Sequence, residues 1–224
     1  MHACATSPSP RTPDTFEFLR GGSFFGKRKT LPTPHPKKSI RKKDKNSIEN
    51  FQKEVPTIIS AYQDLCDYAT KYDMTVLMEN HGFHANGSER VRQIMTSVKR
   101  DNFGHQLDVG NYTCVDDIPE IAVKKMIPFA KTIHMKDFYL RPAHRDPGGA
   151  SEFNCENSWF RSVNGTFLRG SILAQGDIDI WDVMRTIKAS SFDGDIYLEY
   201  EGMEECEYGT HVSFANMKRI YNEV

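Results

Sequence analysis

From about residue 50 onward, apolar residues alternate between short continuous runs and longer stretches with helical spacing. The continuous runs end in polar residues, which is typical of strands buried on both faces of a sheet. The stretches between them repeat apolar residues every three or four positions, as helices packed against such a sheet do. Strands alternating with helices predict an α/β fold with a parallel sheet. The predicted strands lie at 16–20, 75–79, 104–108, 131–135 and 195–199.

The helical stretches have recognisable start signals. The first covers 47–71, where Pro56 belongs in a first turn and therefore favours a later start. Ser88 is the expected N-cap of the second helix, and Asp116 or Asp117 is expected to open the third. The last two helices are predicted near 179–190 and along the segment that carries Phe214, Met217, Ile220 and Tyr221.

Three segments do not follow this alternation. Residues 1–14 are small, polar and rich in Pro, and we expect a disordered or non-native N-terminus there. Residues 26–45 are rich in Lys and Arg, which predicts a solvated basic loop, with contact to phosphate or nucleic acid as the functional alternative. Residues 139–175 contain Gly, Asn, Pro and aromatic residues and indicate an insertion with a hairpin. The fold itself is expected to cover 15–224.

Composition excludes several classes of function. The 224 residues are 38% hydrophobic, and 29 Lys and Arg stand against 30 Asp and Glu, so the net charge is −1. A nucleic-acid-binding domain should carry an excess of base, and no apolar run is long enough to span a bilayer. The five cysteines form no CxxC pair, which argues against a thiolate zinc site or a disulfide framework. Together with the lack of a signal sequence, this favours a cytoplasmic protein.

Four of the predicted strands end in a residue that can bind a metal ion: Glu79, Asp108, His134 and Glu199. The C-terminal ends of parallel strands share one face, and adjacent strands lie about 4.8 Å apart, so these side chains can converge on one ion. Three carboxylates and one imidazole form an oxygen-rich ligand set. Such a set suits Mn²⁺ or Mg²⁺, with Co²⁺ or Zn²⁺ tolerated.

Each of these residues taken alone has a simpler interpretation. A single acid at a strand end is usually a helix cap or part of a solvated turn, and a single histidine there is more often a hydrogen-bonded core residue. Several of the four, however, sit in apolar runs, where an unpaired carboxylate would be costly to bury. The coincidence on four strands therefore favours a metal site. Glu201 is an alternative fourth ligand, because it faces the same way as Glu199 if the strand continues.

Five short motifs follow one another in a characteristic order: MENHG (78–82), LDVGN (107–111), IHMKD (133–137), QGDIDI (175–180) and LEYEG (198–202). Their order resembles the sugar phosphate isomerase/epimerase family, which has the xylose-isomerase-like TIM-barrel fold. The resemblance covers roughly residues 50–224 and, more weakly, residues 15–22, where FLRGG resembles an earlier strand of the barrel.

The resemblance also implies roles for individual residues. It assigns Glu79, Asp108, His134 and Glu199 to the metal, and the catalytic acid and base roles to Glu79 and Glu199. Its motifs place His81 and Asn111 at positions that usually contact substrate, and give Lys136 and Asp137 a role either in substrate binding or in supporting the residues around the substrate. Hydrogen bonding within loops and turns is the alternative for all four. In the insertion, Trp159, Phe160 and Arg169 could close the pocket, and Arg169 could bind a phosphate or carboxylate; a structural hairpin is the alternative there.

The function that the resemblance implies is a divalent-metal-dependent isomerase or epimerase acting on a small-molecule sugar or keto-polyol. A metal-bound carbonyl lowers the cost of removing a neighbouring proton, and the enediolate that results is reprotonated elsewhere. Loss of a β-hydroxyl instead gives dehydration, so a dehydratase of the inosose or dehydroshikimate type is an alternative. DNA repair by a related apurinic endonuclease is disfavoured, since the later histidines, His144 and His211, end no strand. We expect no nucleic-acid or membrane partner, and a homo-oligomer remains open.

The chain is short for this fold. An eight-stranded barrel typically needs about 250 residues. Setting aside the three irregular segments leaves roughly 150 residues, enough for about five βα units. We therefore expect an incomplete TIM barrel that lacks about three N-terminal strands. A truncated, catalytically inactive barrel segment, stable only when paired with another chain, is the alternative from a different class of function.

Overall fold

The structure is a computed structural model that describes residues 5–6, 47–148 and 159–224. The predicted strand at 16–20 and the basic segment at 26–45 lie outside the described residues, as does most of 1–14. The strands are β1 (Ala5–Thr6), β2 (Thr75–Glu79), β3 (Phe103–Asp108), β4 (Ala130–Met135), β5 (Asp137–Arg141), β6 (Phe160–Arg161), β7 (Phe167–Ser171) and β8 (Asp195–Leu198). The helices are α1 (Ile48–Ala69), α2 (Ser88–Val98), α3 (Pro119–Met126), α4 (Ile180–Ala189) and α5 (Cys206–Glu223).

The main sheet has the order β1-β2-β3-β4-β8, and β2, β3, β4 and β8 run parallel to one another. These four are the strands predicted from the apolar runs, so the α/β parallel sheet is confirmed. The short β1 pairs with β2 in the antiparallel direction. A closed barrel of this type has eight parallel strands. The described sheet, with four, corresponds to part of one.

Successive helices contact one another in the order α1, α2, α3, α4 and α5 beside the sheet. Each buries one apolar stripe; α2, for example, completely buries Val91, Ile94 and Val98. Fully burying an aliphatic side chain of this kind contributes roughly 1.5–3 kcal/mol, so this interface stabilises the sheet from one side. Among the helices that the structure describes, none combines the length and the apolar surface needed to cross a membrane.

The first helix starts earlier than Pro56 suggests. α1 begins at Ile48, and Ser47 is its N-cap, with its hydroxyl accepting a hydrogen bond from the Asn50 amide at 3.1 Å. Pro56 lies inside the helix, where it removes one backbone donor. The prediction of a later start was wrong because Phe51, in the turn before the proline, is fully buried and holds that part of the helix against the core.

The start of α2 is capped by a residue from a different loop. Ser88 is the first residue of α2 and not its N-cap, which is Gly87. The Ser88 amide donates a hydrogen bond to Asp117 Oδ2 at 2.7 Å, so Asp117 caps α2 from the loop after β3. Asp117 therefore does not open its own helix, which begins at Pro119. Both cap predictions were wrong because a contact distant in sequence replaces a local one.

The predicted insertion contains a three-stranded antiparallel sheet with the order β5-β7-β6. It starts at Asp137, two residues earlier than predicted, because Lys136 alone separates β5 from β4. On β7, a side chain at Gly170 would collide with the backbone carbonyl of Glu201. The small sheet therefore packs closely against the segment that follows β8, at the edge of the main sheet where the strand ends meet.

Candidate metal centre

Four side chains converge at the C-terminal ends of the parallel strands. Glu79, Asp108, His134 and Glu199 each offer one ligand atom, and these atoms all lie within 4.8 Å of one another. The sheet register explains the convergence, since Asp108 pairs directly with His134 across β3 and β4. Two oxygens that are each about 2.0–2.6 Å from one ion lie at most about 5 Å apart. The spacing is therefore compatible with one shared cation.

His134 lies close to two of the carboxylates. Its Nδ1 is 3.3 Å from Glu199 Oε2 and 4.0 Å from Glu79 Oε1. The glutamates differ in access: the Glu79 side chain is 12% exposed and the Glu199 side chain 37% exposed. An imidazole binds a metal through an unprotonated nitrogen, so Nδ1 would have to be unprotonated in the metal-bound state.

Asp108 carries the most direct sign that the site fits a cation. The residue is completely buried, and its Oδ1 accepts a hydrogen bond from the Asn111 amide at 2.9 Å. Its Oδ2, also buried, has no hydrogen-bond partner among the described residues. Because a buried carboxylate oxygen needs a positive charge beside it, and carboxylate oxygen is a favoured ligand of hard divalent ions, the donor set fits Mg²⁺ or Mn²⁺.

A lysine lies within the same group of carboxylates. Lys136 Nζ is 3.1 Å from Asp108 Oδ2, 3.0 Å from Glu199 Oε2 and 3.0 Å from Glu201 Oε1. Its contact with Asp108 is an ion pair without the alignment of a hydrogen bond. Gly110 makes room for the lysine stem, because a side chain at that position would overlap the Lys136 Cγ. The ammonium is thus held in direct contact with two of the four candidate ligands.

The ionisation of the site reflects this crowding. Burial raises the pKa of Asp108 to about 7, although Lys136 opposes the change. Burial also raises the pKa of Glu199, but hydrogen bonds from His134 and Lys136 outweigh it and hold that pKa below its usual value. The raised pKa of Asp108 indicates that the nearby positive charge does not fully compensate its burial beside Glu199. A divalent cation would supply additional positive charge there.

Glu201 does not join the four convergent ligands. β8 ends at Leu198, so the alternation of a strand does not extend as far as Glu201. Its carboxylate instead binds Lys136, at 3.0 Å. The geometry therefore favours Glu199 over Glu201 as the fourth ligand.

His81 lies in the loop just after Glu79, and Asn111 lies in the short 3-10 helix Gly110–Val115 just after Asp108. Asn111 is buried, its Oδ1 is 3.4 Å from Lys136 Nζ, and its Nδ2 has no hydrogen-bond partner among the residues that the structure describes. His81 is exposed in the loop after β2. Asn111 therefore offers a donor beside the ligands, whereas His81 lies at the solvent side.

Asp137 does not have the position of a substrate-binding residue. It is 2% exposed, and its carboxylate accepts hydrogen bonds from four backbone amides. Three of these amides belong to the loop that leads to α4, at Ala174, Gly176 and Ile178. Because burial and these bonds occupy the carboxylate, Asp137 anchors that loop. The contacts favour hydrogen bonding within the loop, the alternative that the sequence left open for Asp137.

Arg169 lies on β7 between aromatic rings. Its guanidinium carbon is 4.9 Å from the centre of the Tyr139 ring and 5.1 Å from that of Trp159. Such stacking holds a guanidinium in a fixed plane. Phe160 packs edge-on against Phe138, with ring centres 5.8 Å apart. Phe160 thus contributes to the packing of the small sheet. The same sheet holds the Arg169 guanidinium against the Tyr139 and Trp159 rings.

Two residues that the sequence did not single out support the ligands. Asn80 is completely buried and exchanges two hydrogen bonds with the backbone of Asp108, at 2.8 and 2.9 Å. His105, also fully buried, lies 2.8 Å from the Met78 carbonyl through Nδ1 and 3.2 Å from the Tyr112 hydroxyl through Nε2. Both could have been found from the sequence, because each is a polar residue within or directly after an apolar run, the same feature that identified the ligands.

Three solved structures with the same fold resemble this chain. The first is a xylose isomerase domain protein from Planctomyces limnophilus, with 16% identity and a TM-score of 0.59 over 80% of this chain and 54% of that one. The second is a xylose isomerase-like TIM barrel protein from Mycobacterium smegmatis in complex with magnesium, with 15% identity and a TM-score of 0.56 over 75% and 51%. The third is the probable 3-DHS dehydratase AsbF from Bacillus anthracis, with 17% identity and a TM-score of 0.55 over 77% and 58%.

The chain thus spans little more than half the length of the structures that it matches. A search of curated protein sequences gave no significant match. The family model for xylose isomerase-like TIM barrels, in contrast, matches residues 30–219, which is most of the chain. The alternation of strands and helices, the parallel sheet and this match agree. The chain belongs to the xylose isomerase-like TIM barrel family.

Proposed function

We propose that this chain is a divalent-metal-dependent isomerase or epimerase that acts on a small sugar or keto-polyol. One observation carries the proposal: four metal-binding side chains from four parallel strands offer ligand atoms within 4.8 Å of one another. Metal-dependent catalysis of this kind needs such a set at the strand ends, where the active sites of TIM-barrel enzymes form. Family membership supports a small-molecule sugar as the class of substrate.

Glu79, Asp108, His134 and Glu199 would hold the metal, with Mn²⁺ or Mg²⁺ as the first choice. The structure from Mycobacterium smegmatis, which contains magnesium, is compatible with that choice. When bound, the ion would polarise a substrate carbonyl and its adjacent hydroxyl and so make the neighbouring C–H proton more acidic.

The two glutamates are the proposed acid and base. Without metal, the contacts of Glu199 with His134 and Lys136 keep its pKa below the usual value. A bound cation would favour the ionised form in the same direction, so Glu199 is the proposed acceptor of a proton from a substrate carbon. Glu79, whose Oε1 is 4.0 Å from His134 Nδ1, is the proposed donor of the returned proton. A proton returned to the neighbouring carbon, together with transfer of that carbon's hydroxyl proton to the former carbonyl oxygen, gives isomerisation. A proton returned to the opposite face of the original carbon gives epimerisation.

Substrate hydroxyls would meet donors already present at the site. The Asn111 amide nitrogen is buried and has no hydrogen-bond partner among the described residues, so a substrate oxygen would satisfy it. Arg169, held by Tyr139 and Trp159, is proposed to bind a phosphate or carboxylate group of the substrate. Lys136 and Asp137 would act without contacting the substrate. Lys136 would act on the metal ligands, and Asp137 would hold the loop before α4 in place.

Dehydration is the second candidate. The match to the probable dehydratase from Bacillus anthracis favours including it, because the same proton abstraction followed by loss of a β-hydroxyl gives an elimination. The two candidates need the same ligands and the same base. They differ in the product, so one set of assays separates them.

The test is turnover of ketoses, keto-polyols, inososes and dehydroshikimate with added Mn²⁺ or Mg²⁺. We expect one substrate class to react, and Glu199→Gln to lower kcat/KM by at least about 100-fold, the usual contribution of a positioned acid or base. Glu223→Gln is the matched control, since Glu223 is an exposed acid on α5 that pairs with Arg219. A folded, metal-binding wild type without turnover of any substrate would contradict the proposal and support an inactive barrel segment.

A further inference from the structure

Lys136 occupies an unusual place for a cation. Its side chain is 2% exposed, and its ammonium lies 3.0–3.1 Å from carboxylate oxygens of Asp108, Glu199 and Glu201. Two of these oxygens, Asp108 Oδ2 and Glu199 Oε2, belong to residues of the convergent metal-binding group. The ammonium therefore neutralises the same groups that a divalent ion would bind.

A role for Lys136 as a direct substrate contact is less consistent with these observations. The ammonium is enclosed and already contacts three carboxylates, whereas a substrate-binding lysine should have a donor directed into open space. Gly110 borders its stem, and a side chain at Gly110 would overlap it. The stem is thus packed in place, and the charge at its end is directed at the ligand oxygens.

The charges at the site determine how Lys136 affects the stability of the metal-free protein and the binding of a metal ion. Glu79, Asp108, Glu199 and Glu201 bring four carboxylates together, and Lys136 supplies a positive charge among them. Without Lys136, the buried Asp108 would face the partly exposed Glu199 and Glu201 without the ammonium between them, so the lysine stabilises the metal-free fold. With a divalent ion bound to Asp108 and Glu199, the ammonium would lie against a second cation and repel it.

We propose that Lys136 is a tethered internal cation that competes with the metal ion for Asp108 and Glu199, and so weakens metal affinity while stabilising the metal-free protein. This inference rests on the proposed metal centre and concerns its regulation. It makes metal occupancy depend on the metal concentration around the protein. It also implies that metal entry frees the ammonium from two of its three ion pairs.

The experiment measures Mn²⁺ affinity, by the electron paramagnetic resonance signal of free Mn²⁺, in the wild type and in Lys136→Met. We expect Lys136→Met to bind Mn²⁺ at least about tenfold more tightly, because a unit positive charge next to the ion is removed. The melting temperature without metal should fall in the same variant and recover on addition of Mn²⁺. Lys124→Met is the matched control, since Lys124 forms an exposed ion pair with Asp182. The Mn²⁺ affinity of this variant should equal that of the wild type.

A double variant separates competition from net charge. Lys136→Met combined with Glu201→Gln removes one positive and one negative charge, so the net charge of the site equals that of the wild type. If Lys136 competes for the ligand oxygens, the double variant still binds Mn²⁺ more tightly than the wild type. Affinity equal to or weaker than that of the wild type in this variant would overturn the proposal.

The remaining outcomes are also decisive. If the wild type binds Mn²⁺ and Lys136→Met binds no more tightly, the competition is wrong while the metal centre stands. If neither the wild type nor the variants bind Mn²⁺, the metal centre and the competition are both wrong. If affinity rises as expected but no substrate turns over, only the proposed reaction is wrong.

A second experiment applies if the lysine variants do not fold even with Mn²⁺. The rate at which Lys136 is acetylated is then measured in the wild type with and without Mn²⁺. Lys136 should react faster with Mn²⁺ bound, and an unchanged rate contradicts the proposal.

Discussion

Asn80 and Asp108 extend the pairing of β2 and β3 beyond the last backbone pair through a side chain. The Asp108 amide donates to Asn80 Oδ1 at 2.8 Å, and Asn80 Nδ2 donates to the Asp108 carbonyl at 2.9 Å. Asn80 directly follows Glu79, so one residue connects the ends of two strands that each carry a candidate ligand. The spacing between Glu79 and Asp108 thus depends on an amide group that is itself completely buried.

Asn80→Ala should therefore damage both the fold and the site. It leaves the amide and the carbonyl of Asp108 buried without partners, and we expect a loss of about 2–4 kcal/mol in the free energy of unfolding. Urea denaturation measures the loss, and Mn²⁺ affinity should fall in the same variant. Asn222→Ala, at an exposed position of α5, is the control and should change neither quantity. A normal stability in Asn80→Ala would show that this amide is dispensable.

Asp137→Ala should destabilise the loop before α4. The variant leaves the amides of Phe138, Ala174, Gly176 and Ile178 without their carboxylate acceptor. We expect a loss of at least about 3 kcal/mol, since several buried donors become unsatisfied together. Thermal unfolding measures it, with the exposed Asp101→Ala as the control.

Gly176→Ala gives an independent check of the same contact. A side chain at Gly176 would collide with the Asp137 carboxylate, so this variant should also lower the melting temperature. Stability unchanged in both Asp137→Ala and Gly176→Ala would contradict the assignment of Asp137 as a loop anchor.

His105 should make stability depend on pH. Burial lowers its pKa from 6.5 to about 4 in the folded protein, so between these values the unfolded chain binds a proton that the folded protein does not. Its contribution is therefore complete above about pH 6.5 and is lost as the pH falls toward 4, by roughly 3 kcal/mol in total. Burial raises the pKa of Asp137 to about 6, which acts in the opposite direction.

Comparison with His105→Gln isolates the histidine. The difference in unfolding free energy between wild type and variant should shrink as the pH is lowered from 7.5 to 5, measured by urea denaturation at each pH. His211→Gln is the control, because His211 is exposed on α5. A difference that is independent of pH would mean that His105 is not buried in its neutral form.

The strands and the site could be predicted from the sequence because both depend on local patterns. An apolar run that ends in a ligand-type residue specifies a buried strand and the place where its side chain emerges, and β2, β3, β4 and β8 agree with the prediction to within one residue. The convergence of Glu79, Asp108, His134 and Glu199 then follows from parallel pairing alone.

The contacts that the sequence did not predict connect residues distant along the chain. The sequence predicts Asp116 or Asp117 at the start of the third helix, yet Asp117 caps α2 from 29 residues away. Glu201 was kept as an alternative ligand, and its true partner, Lys136, lies 65 residues earlier. Local propensity cannot distinguish such partners, because they depend on which loops the completed sheet brings side by side.

The most direct measurement is the anomalous scattering of Mn²⁺ in crystals of the protein soaked with that ion. We expect one manganese peak per chain, with oxygens of Glu79, Asp108 and Glu199 and a nitrogen of His134 each about 2.0–2.3 Å from it. A peak elsewhere in the molecule, or one of these four side chains directed away from the ion, would contradict a metal centre shared by the four strands.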